Sequence, residues 1–145
     1  MNFNHLESLY RSVIMDHYKH PRNKGQLETG TLTIEMNNPT CGDEIQLDLE
    51  VEDGIINDVK FNGHGCSISM ASASMMTEAV KGQSVERALE MGDEFSKMML
   101  GEDYEIAEDM GDAEALSGVS QFPARIKCAT LSWKALEKGF PEAHK

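Results

Sequence analysis

One stretch decides the fold: Ile45-Gln46-Leu47-Asp48-Leu49-Glu50-Val51. Apolar and polar residues alternate along it with a period of two, which predicts a β-strand with one buried face. The Asp53-Gly54 pair that follows predicts a type I′ hairpin turn. The same alternation precedes the stretch in Leu32-Thr33-Ile34-Glu35-Met36 and returns after the turn in Val59-Lys60-Phe61. Because the connections are short, the three strands should form an antiparallel meander.

Helical patterns occupy both flanks of this meander. Apolar residues at helical spacing predict helices over residues 4–19, 67–80, 84–99 and 123–138. Asn4 and Glu7 match a capping box, Ser84 is a candidate N-cap, and Gly139 suits a helix end. The expected fold class is therefore α+β: a three-stranded antiparallel sheet with helices packed on one face, in a single domain over residues 1–145.

Length and charge narrow the classes of function. A chain of 145 residues can bury roughly 68–70% of its unfolded surface, so it needs no disulfide or metal merely to fold. A formal net charge of −12 argues against nucleic acid as a partner. We find no apolar run near the roughly 20 residues that span a bilayer, and Met1-Asn2-Phe3-Asn4-His5 does not resemble a signal peptide. Unpaired thiols in such a chain indicate the cytoplasm and no membrane partner.

The negative charge is concentrated in residues 101–118, which we call the acidic insert. It holds seven acidic residues and no Lys or Arg: Glu102, Asp103, Glu105, Glu108, Asp109, Asp112 and Glu114. Charge blocks of this kind are usually solvated, so the pattern favours a mobile surface loop. The alternative is a docking surface for a basic partner.

The chain has three cysteines, Cys41, Cys66 and Cys128, which cannot all pair as disulfides. In an up-down-up meander the loop with Cys41, the residue Asp43 and the loop with Cys66 gather at one end of the sheet. Asp43 shares parity with Ile45, so its side chain should point towards the packed face. Because an unpaired buried charge is very costly, an inward carboxylate at this edge favours a bound cation.

Two further features decide how the thiols are interpreted. Cys66 directly precedes a predicted helix, whose N-terminus favours the thiolate, and Cys128 lies in the last helix. Three thiolates and one carboxylate make a tetrahedral zinc set. The alternative, that all three cysteines are inert buried side chains, stays open on these grounds.

Charged neighbours of the cysteines have two interpretations as well. Arg125 and Lys127 lie just before Cys128 in the sequence. Their positive charges would offset the negative charge of such a site; the alternative is that both are solvated on the helix surface. His64 is a candidate ligand that we interpret as a loop histidine near the mouth of the site. His17 we interpret as a histidine at the edge of the core.

Four motifs spread along the chain belong together. They are Tyr18-Lys19-His20-Pro21-Arg22-Asn23, Asn38-Pro39-Thr40-Cys41-Gly42-Asp43, Gly63-His64-Gly65-Cys66-Ser67-Ile68-Ser69 and Arg125-Ile126-Lys127-Cys128. With these motifs the chain resembles, over nearly its whole length, the iron–sulfur assembly proteins of the IscU/NifU-like superfamily, and within it the SufU branch. The fold implied is the SufE/NifU-like one.

Two departures separate the branches. Scaffold members usually carry histidine before the third cysteine, where this chain has Lys127, and a Leu-Pro-Pro-Val-Lys motif where it has Phe122-Pro123-Ala124-Arg125. The acidic insert is also a SufU-like feature. Resemblance to this branch implies zinc at Cys41, Asp43, Cys66 and Cys128. It also implies sulfur transfer from a PLP-dependent, SufS-like cysteine desulfurase, with Cys41 as acceptor, Arg125 assisting, and downstream iron–sulfur assembly proteins as recipients.

Three functions stay in contention from the sequence. The first is a zinc-dependent sulfurtransferase, an activity that makes the chain an enzyme. The second is a scaffold on which a [2Fe-2S] or [4Fe-4S] cluster is assembled, for which the same ligands would serve. The third is a regulatory or structural zinc protein without transfer activity. Lys127 and the acidic insert favour the first over the second.

Overall fold

A computed structural model describes residues 3–27, 32–38, 42–103 and 108–140, with side chains from residue 11 in the first helix and from residue 110 after the last gap. The elements are α1 (Phe3–Lys19), β1 (Leu32–Asn38), β2 (Asp43–Glu52), β3 (Ile55–His64), α2 (Ser67–Val80), α3 (Val85–Leu100), a 3₁₀ segment (Glu108–Gln121) and α4 (Pro123–Lys138). Within these ranges no helix combines the length and apolar character needed to cross a membrane. The proposed capping side chains Asn4 and Glu7 lie outside the described side chains.

The three strands form the predicted antiparallel meander in the order β1-β2-β3. Asp53 and Gly54 both have positive φ, at 54° and 76°, as the predicted type I′ turn requires. The register sets Met36 opposite Ile45 and Leu47 opposite Phe61. Apolar residues of all three strands therefore share one face, and the predicted α+β class is confirmed.

Helices cover that apolar face. On this face Leu47, Leu49 and Phe61 are fully buried. The helices α2 and α4 pack on the strands. The helix α2 has the predicted bounds, and every residue from Ser69 to Thr77 is buried. Its alanines and serines let α1, α4 and the 3₁₀ segment approach closely, so α2 becomes the central helix of the fold.

The opposite face of the sheet departs from the simple alternation. Asp48 was expected on the polar side of β2 and is only 4% exposed. Its carboxylate accepts hydrogen bonds from the backbone N–H of Leu27 and the hydroxyl of Thr33, each at 3.0 Å. The chain after α1 first pairs with Phe61 of β3 and then reaches Asp48. The segment after α1, which shows no periodicity, thus covers part of this face. The alternating pattern of a strand cannot predict such a cover.

The prediction of a mobile loop is wrong for the second half of the acidic insert. Residues 108–121 form the 3₁₀ segment, with a kink at Gly111 where φ is 61°. Met110, Ala113 and Leu116 are buried against the helices, whereas Asp112 stays exposed. Apolar residues between the acidic ones give the segment a buried face. The free energy gained by burying this face outweighs the tendency of the charged residues to stay solvated. Residues 104–107 lie outside the described part of the chain.

Candidate metal centre

Three elements bring Asp43, Cys66 and Cys128 together. Asp43 is the first residue of β2, Cys66 is the N-cap of α2, and Cys128 lies in the second turn of α4. One carboxylate oxygen and the two sulfurs all lie within 4.8 Å of one another. Ligand atoms of a tetrahedral zinc are about 3.5–3.8 Å apart, so a small adjustment would close this set around one ion. Cys41 lies outside the described residues, and its ligation stays a prediction.

The carboxylate of Asp43 is fully buried, as its parity in the strand predicted. Its Oδ1 accepts the backbone N–H of Cys66 at 2.9 Å. Its Oδ2 is buried and has no hydrogen-bond partner among the described residues. A buried carboxylate oxygen without a partner is destabilising, and a cation would satisfy it. The donor atoms present therefore fit a bound zinc ion.

Gly65 makes room for this carboxylate. A Cβ atom at position 65 would overlap Asp43 Oδ1 and Ser69 Oγ. Gly65 therefore lets the Asp43 side chain reach the backbone of Cys66.

The sulfur of Cys66 lies at the beginning of α2 and is half-buried. The partial positive charge of a helix N-terminus stabilises negative charge at this position. Ser69 Oγ is 3.7 Å from the sulfur and donates its own hydrogen bond to the Cys66 carbonyl oxygen at 3.0 Å. The hydroxyl therefore fixes the first turn of the helix that carries the thiol.

The sulfur of Cys128 is fully buried and has a polar neighbour that the sequence analysis missed. Asn38, the last residue of β1, donates from Nδ2 to Cys128 Sγ at 3.9 Å. Asn38 is 6% exposed. The parity argument applied to Asp43 also applies to β1, where Asn38 continues the inward series of Ile34 and Met36. That signal could have identified Asn38.

The charged candidates are exposed, whereas Asp43 and Cys128 are buried. Arg125 and Lys127 are exposed in the first turns of α4. His64 is the last residue of β3, with a 72% exposed side chain, and its Nε2 lies 3.2 Å from Glu44 Oε2. His64 is not part of the group formed by Asp43, Cys66 and Cys128.

His17, in α1, is fully buried. Its Nδ1 contacts Ser74 Oγ and its Nε2 contacts Asp112 Oδ2, both at 2.8 Å. Glu78 Oε1 is 3.9 Å from the same Nε2. His17, Glu78 and Asp112 form a second group of possible ligand atoms. The hydrogen bonds of His17 join α1 to α2 and to the 3₁₀ segment.

Known proteins match most of this chain. The family model of the NifU-like N-terminal domain matches residues 9–129. The zinc-dependent sulfurtransferase SufU of Bacillus subtilis (strain 168) is 63% identical over 140 residues, covering 96% of this chain and 95% of that protein.

Two further relatives carry scaffold names. The iron–sulfur cluster assembly scaffold protein IscU of Streptococcus pyogenes serotype M1 is 47% identical over 138 residues, covering 95% of this chain and 86% of that protein. A crystal structure of a protein from Fervidobacterium islandicum AW-1, named as an iron–sulfur cluster assembly scaffold for the SUF system, superposes with a TM-score of 0.84 at 37% identity. That superposition covers 92% of this chain and 97% of the other.

Proposed function

The chain belongs to the family of NifU-like N-terminal domains, and we propose that it is a zinc-dependent sulfur-transfer protein of iron–sulfur cluster assembly. One observation carries the proposal: two sulfurs and a buried carboxylate with an unsatisfied oxygen converge from three separate elements. The similarity to a zinc-dependent sulfurtransferase over nearly the full chain supports it.

We propose that Cys41 joins Asp43, Cys66 and Cys128 as the fourth ligand. Two peptide units separate Cys41 from Asp43, and chain geometry keeps their Cα atoms within about 7 Å. The backbone N–H of Gly42 donates to the Asn38 carbonyl oxygen at 2.9 Å, which brings together the two ends of the segment that contains Cys41. When bound, zinc would hold these thiols as thiolates at neutral pH.

The sulfur donor in this proposal is a persulfide on a PLP-dependent cysteine desulfurase of the SufS type. The Cys41 thiolate attacks the terminal sulfur of that persulfide. The donor's S–S bond breaks, a new S–S bond forms at Cys41 Sγ, and the donor cysteine leaves as a thiolate, so no oxidant or reductant is needed. A later acceptor among the iron–sulfur assembly proteins takes the sulfur by the same exchange. Because the thiols must stay reduced, we place this activity in the cytoplasm.

The burial of the other two thiols supports Cys41 as the acceptor. The donor is itself a protein, so its persulfide needs a thiol that it can reach. Cys128 is fully buried and Cys66 is half-buried at the beginning of α2. We assign Arg125 the assisting role, because it is exposed near the start of α4, the helix that carries Cys128, where its positive charge would stabilise a reactive thiolate.

The decisive experiment compares Cys41→Ser with wild type and with the neighbouring control Thr40→Ala. Each protein is incubated with a desulfurase and sulfur-labelled cysteine, and the label retained on this chain is measured. We expect wild type and Thr40→Ala to accept labelled sulfur and Cys41→Ser to accept none. Unchanged acceptance by Cys41→Ser would exclude Cys41 as the carrier.

A scaffold function is the second candidate, because two similar proteins are named as scaffolds. The same donor set could hold a [2Fe-2S] or [4Fe-4S] cluster. Elemental analysis of protein purified without added metal separates the two functions. A colourless protein with one zinc per chain supports sulfur transfer, whereas a brown protein with iron and acid-labile sulfide supports the scaffold.

A further inference from the structure

We propose that Asn38 is a positioning residue for Cys128, which it keeps in place as a permanent metal ligand by donating an amide N–H to the sulfur. The inference rests on the function proposed above, in which Cys41 accepts the sulfur and Asp43, Cys66 and Cys128 would hold the metal. It distinguishes Cys128 from Cys66, which the sequence analysis treats alike as metal ligands.

The position of Asn38 suits this task. Asn38 is the last residue of β1, and its backbone lies opposite Asp43 in the register of the sheet. Asn38 is 6% exposed, and its Nδ2 is 3.9 Å from Cys128 Sγ. Its carbonyl oxygen accepts the N–H of Gly42. The residue therefore contacts the helix that carries Cys128 and, through its backbone, holds the end of the Cys41 segment.

The direction of the hydrogen bond separates Cys128 from Cys66. The amide Nδ2 of Asn38 can only donate, so it stabilises negative charge on the sulfur that it contacts. The Ser69 hydroxyl donates its hydrogen bond to the Cys66 carbonyl oxygen, so it is not available as a donor to the Cys66 sulfur. A sulfur that receives an N–H is a weaker nucleophile and a more firmly oriented ligand.

The consequence is a division of roles within one site. Cys128 is fully buried and held by a donor, which makes it the ligand least able to attack an incoming persulfide. Without that donor, the metal would be held less firmly whenever Cys41 is occupied with sulfur. Asn38 would thereby link retention of zinc to the transfer of sulfur.

The experiment replaces Asn38 with alanine and with aspartate. Aspartate keeps the shape of the side chain but puts a carboxylate oxygen where the N–H was. The matched controls are Asn37→Ala and Asn37→Asp, because Asn37 is the same residue type one position earlier and is exposed on the opposite face of β1. Two properties are measured: zinc affinity by competition with a chromogenic chelator, and the sulfur-to-metal charge-transfer band of the cobalt-substituted protein.

We expect about tenfold weaker zinc binding for Asn38→Ala and a larger loss for Asn38→Asp, in line with other residues that orient metal ligands. The charge-transfer band should move to lower energy in Asn38→Ala, since removal of an N–H donor raises the energy of the sulfur lone pair. Both Asn37 variants should match wild type. A purely structural role of Asn38 would lower the thermal stability of the metal-free protein and leave the band in place.

Wild-type affinity and an unshifted band in Asn38→Ala would overturn the inference. Asn38→Ala carries this test even where the charge introduced by Asn38→Asp prevents folding. The proposed function fails separately, in wild-type protein that takes up neither zinc nor labelled sulfur.

Discussion

Asp43 Oδ1 accepts the backbone N–H of Cys66 at 2.9 Å, which joins the start of β2 to the start of α2. The other oxygen of the same carboxylate is buried without a partner among the described residues. One oxygen of this carboxylate lies within 4.8 Å of the sulfurs of Cys66 and Cys128. One side chain therefore both fixes the geometry of two loops and supplies negative charge to the centre. The metal-free protein carries a local electrostatic penalty that a cation would remove.

Replacing Asp43 with asparagine should separate these two contributions. Asparagine keeps a carbonyl oxygen for the Cys66 N–H but loses the buried charge. We expect the metal-free variant to be at least as stable as wild type, and its zinc affinity to fall by at least tenfold, or about 1.4 kcal/mol. Thermal unfolding with and without zinc measures both effects. Asp53→Asn, at an exposed turn position that asparagine tolerates, is the control. A metal-free Asp43→Asn variant that melts well below wild type would contradict this account.

Gly65→Ala should damage the site by sterics alone. The added methyl group would overlap the Asp43 carboxylate and the Ser69 hydroxyl, so one of them must move. We expect a loss of about 1–3 kcal/mol in the free energy of unfolding of the metal-free protein, measured with urea. Gly118→Ala, where a Cβ would meet nothing within 4 Å, should change stability by no more than about 0.5 kcal/mol. Equal stabilities of the two variants would show that position 65 has room to spare.

The ion pair between Asp16 and Arg22 gives a pH dependence. Arg22 Nη2 lies 2.7 Å from Asp16 Oδ2, and this hydrogen bond lowers the pKa of the Asp16 carboxyl below its ordinary value. Because the folded-state pKa is the lower one, the pair stabilises the fold above the unfolded-state pKa of about 3.9. That contribution is lost as the pH falls through the folded-state pKa.

The measurement is an NMR titration of the Asp16 carboxyl carbon. We expect a pKa below that of an ordinary aspartate, and a return to the ordinary range in Arg22→Gln. The stability difference between wild type and Asp16→Asn should be constant near neutral pH and shrink below about pH 4. Because the pair is on the surface, salt should weaken it. An Asp16 pKa that is the same in wild type and Arg22→Gln would rule the pair out as the cause.

Asp112→Ala should loosen the 3₁₀ segment. Asp112 Oδ2 contacts Nε2 of the buried His17 at 2.8 Å and ties the acidic insert to α1 and α2. Since the Asp112 side chain is 53% exposed, we expect a loss of at most about 1 kcal/mol in the free energy of unfolding. Amide hydrogen exchange over residues 110–119 should become faster. The control is Asp103→Ala, which removes the same charge at an exposed position of the insert. If amide exchange is equally fast in the two variants, the His17 contact has no specific role.

Much of the fold follows from local patterns in the sequence. The period of two in β2 and the Asp53-Gly54 turn predicted the meander, because alternation and turn chemistry act between near neighbours. The bounds of α2 agree with the helical spacing, and Ser84 caps α3 by accepting the N–H of Arg87. Strand parity also predicted that Asp43 would be buried.

The amino-acid sequence by itself thus determined the elements, their order and the inward direction of Asp43. Tertiary packing alone decided that Asn38 reaches Cys128 across 90 residues of chain and that His17 reaches Asp112 across 95. It also decided that the 3₁₀ segment packs on α2 and that Asp48 is covered. The physical reason is that periodicity records which side of an element is buried, whereas contacts between distant elements depend on how their buried faces fit together.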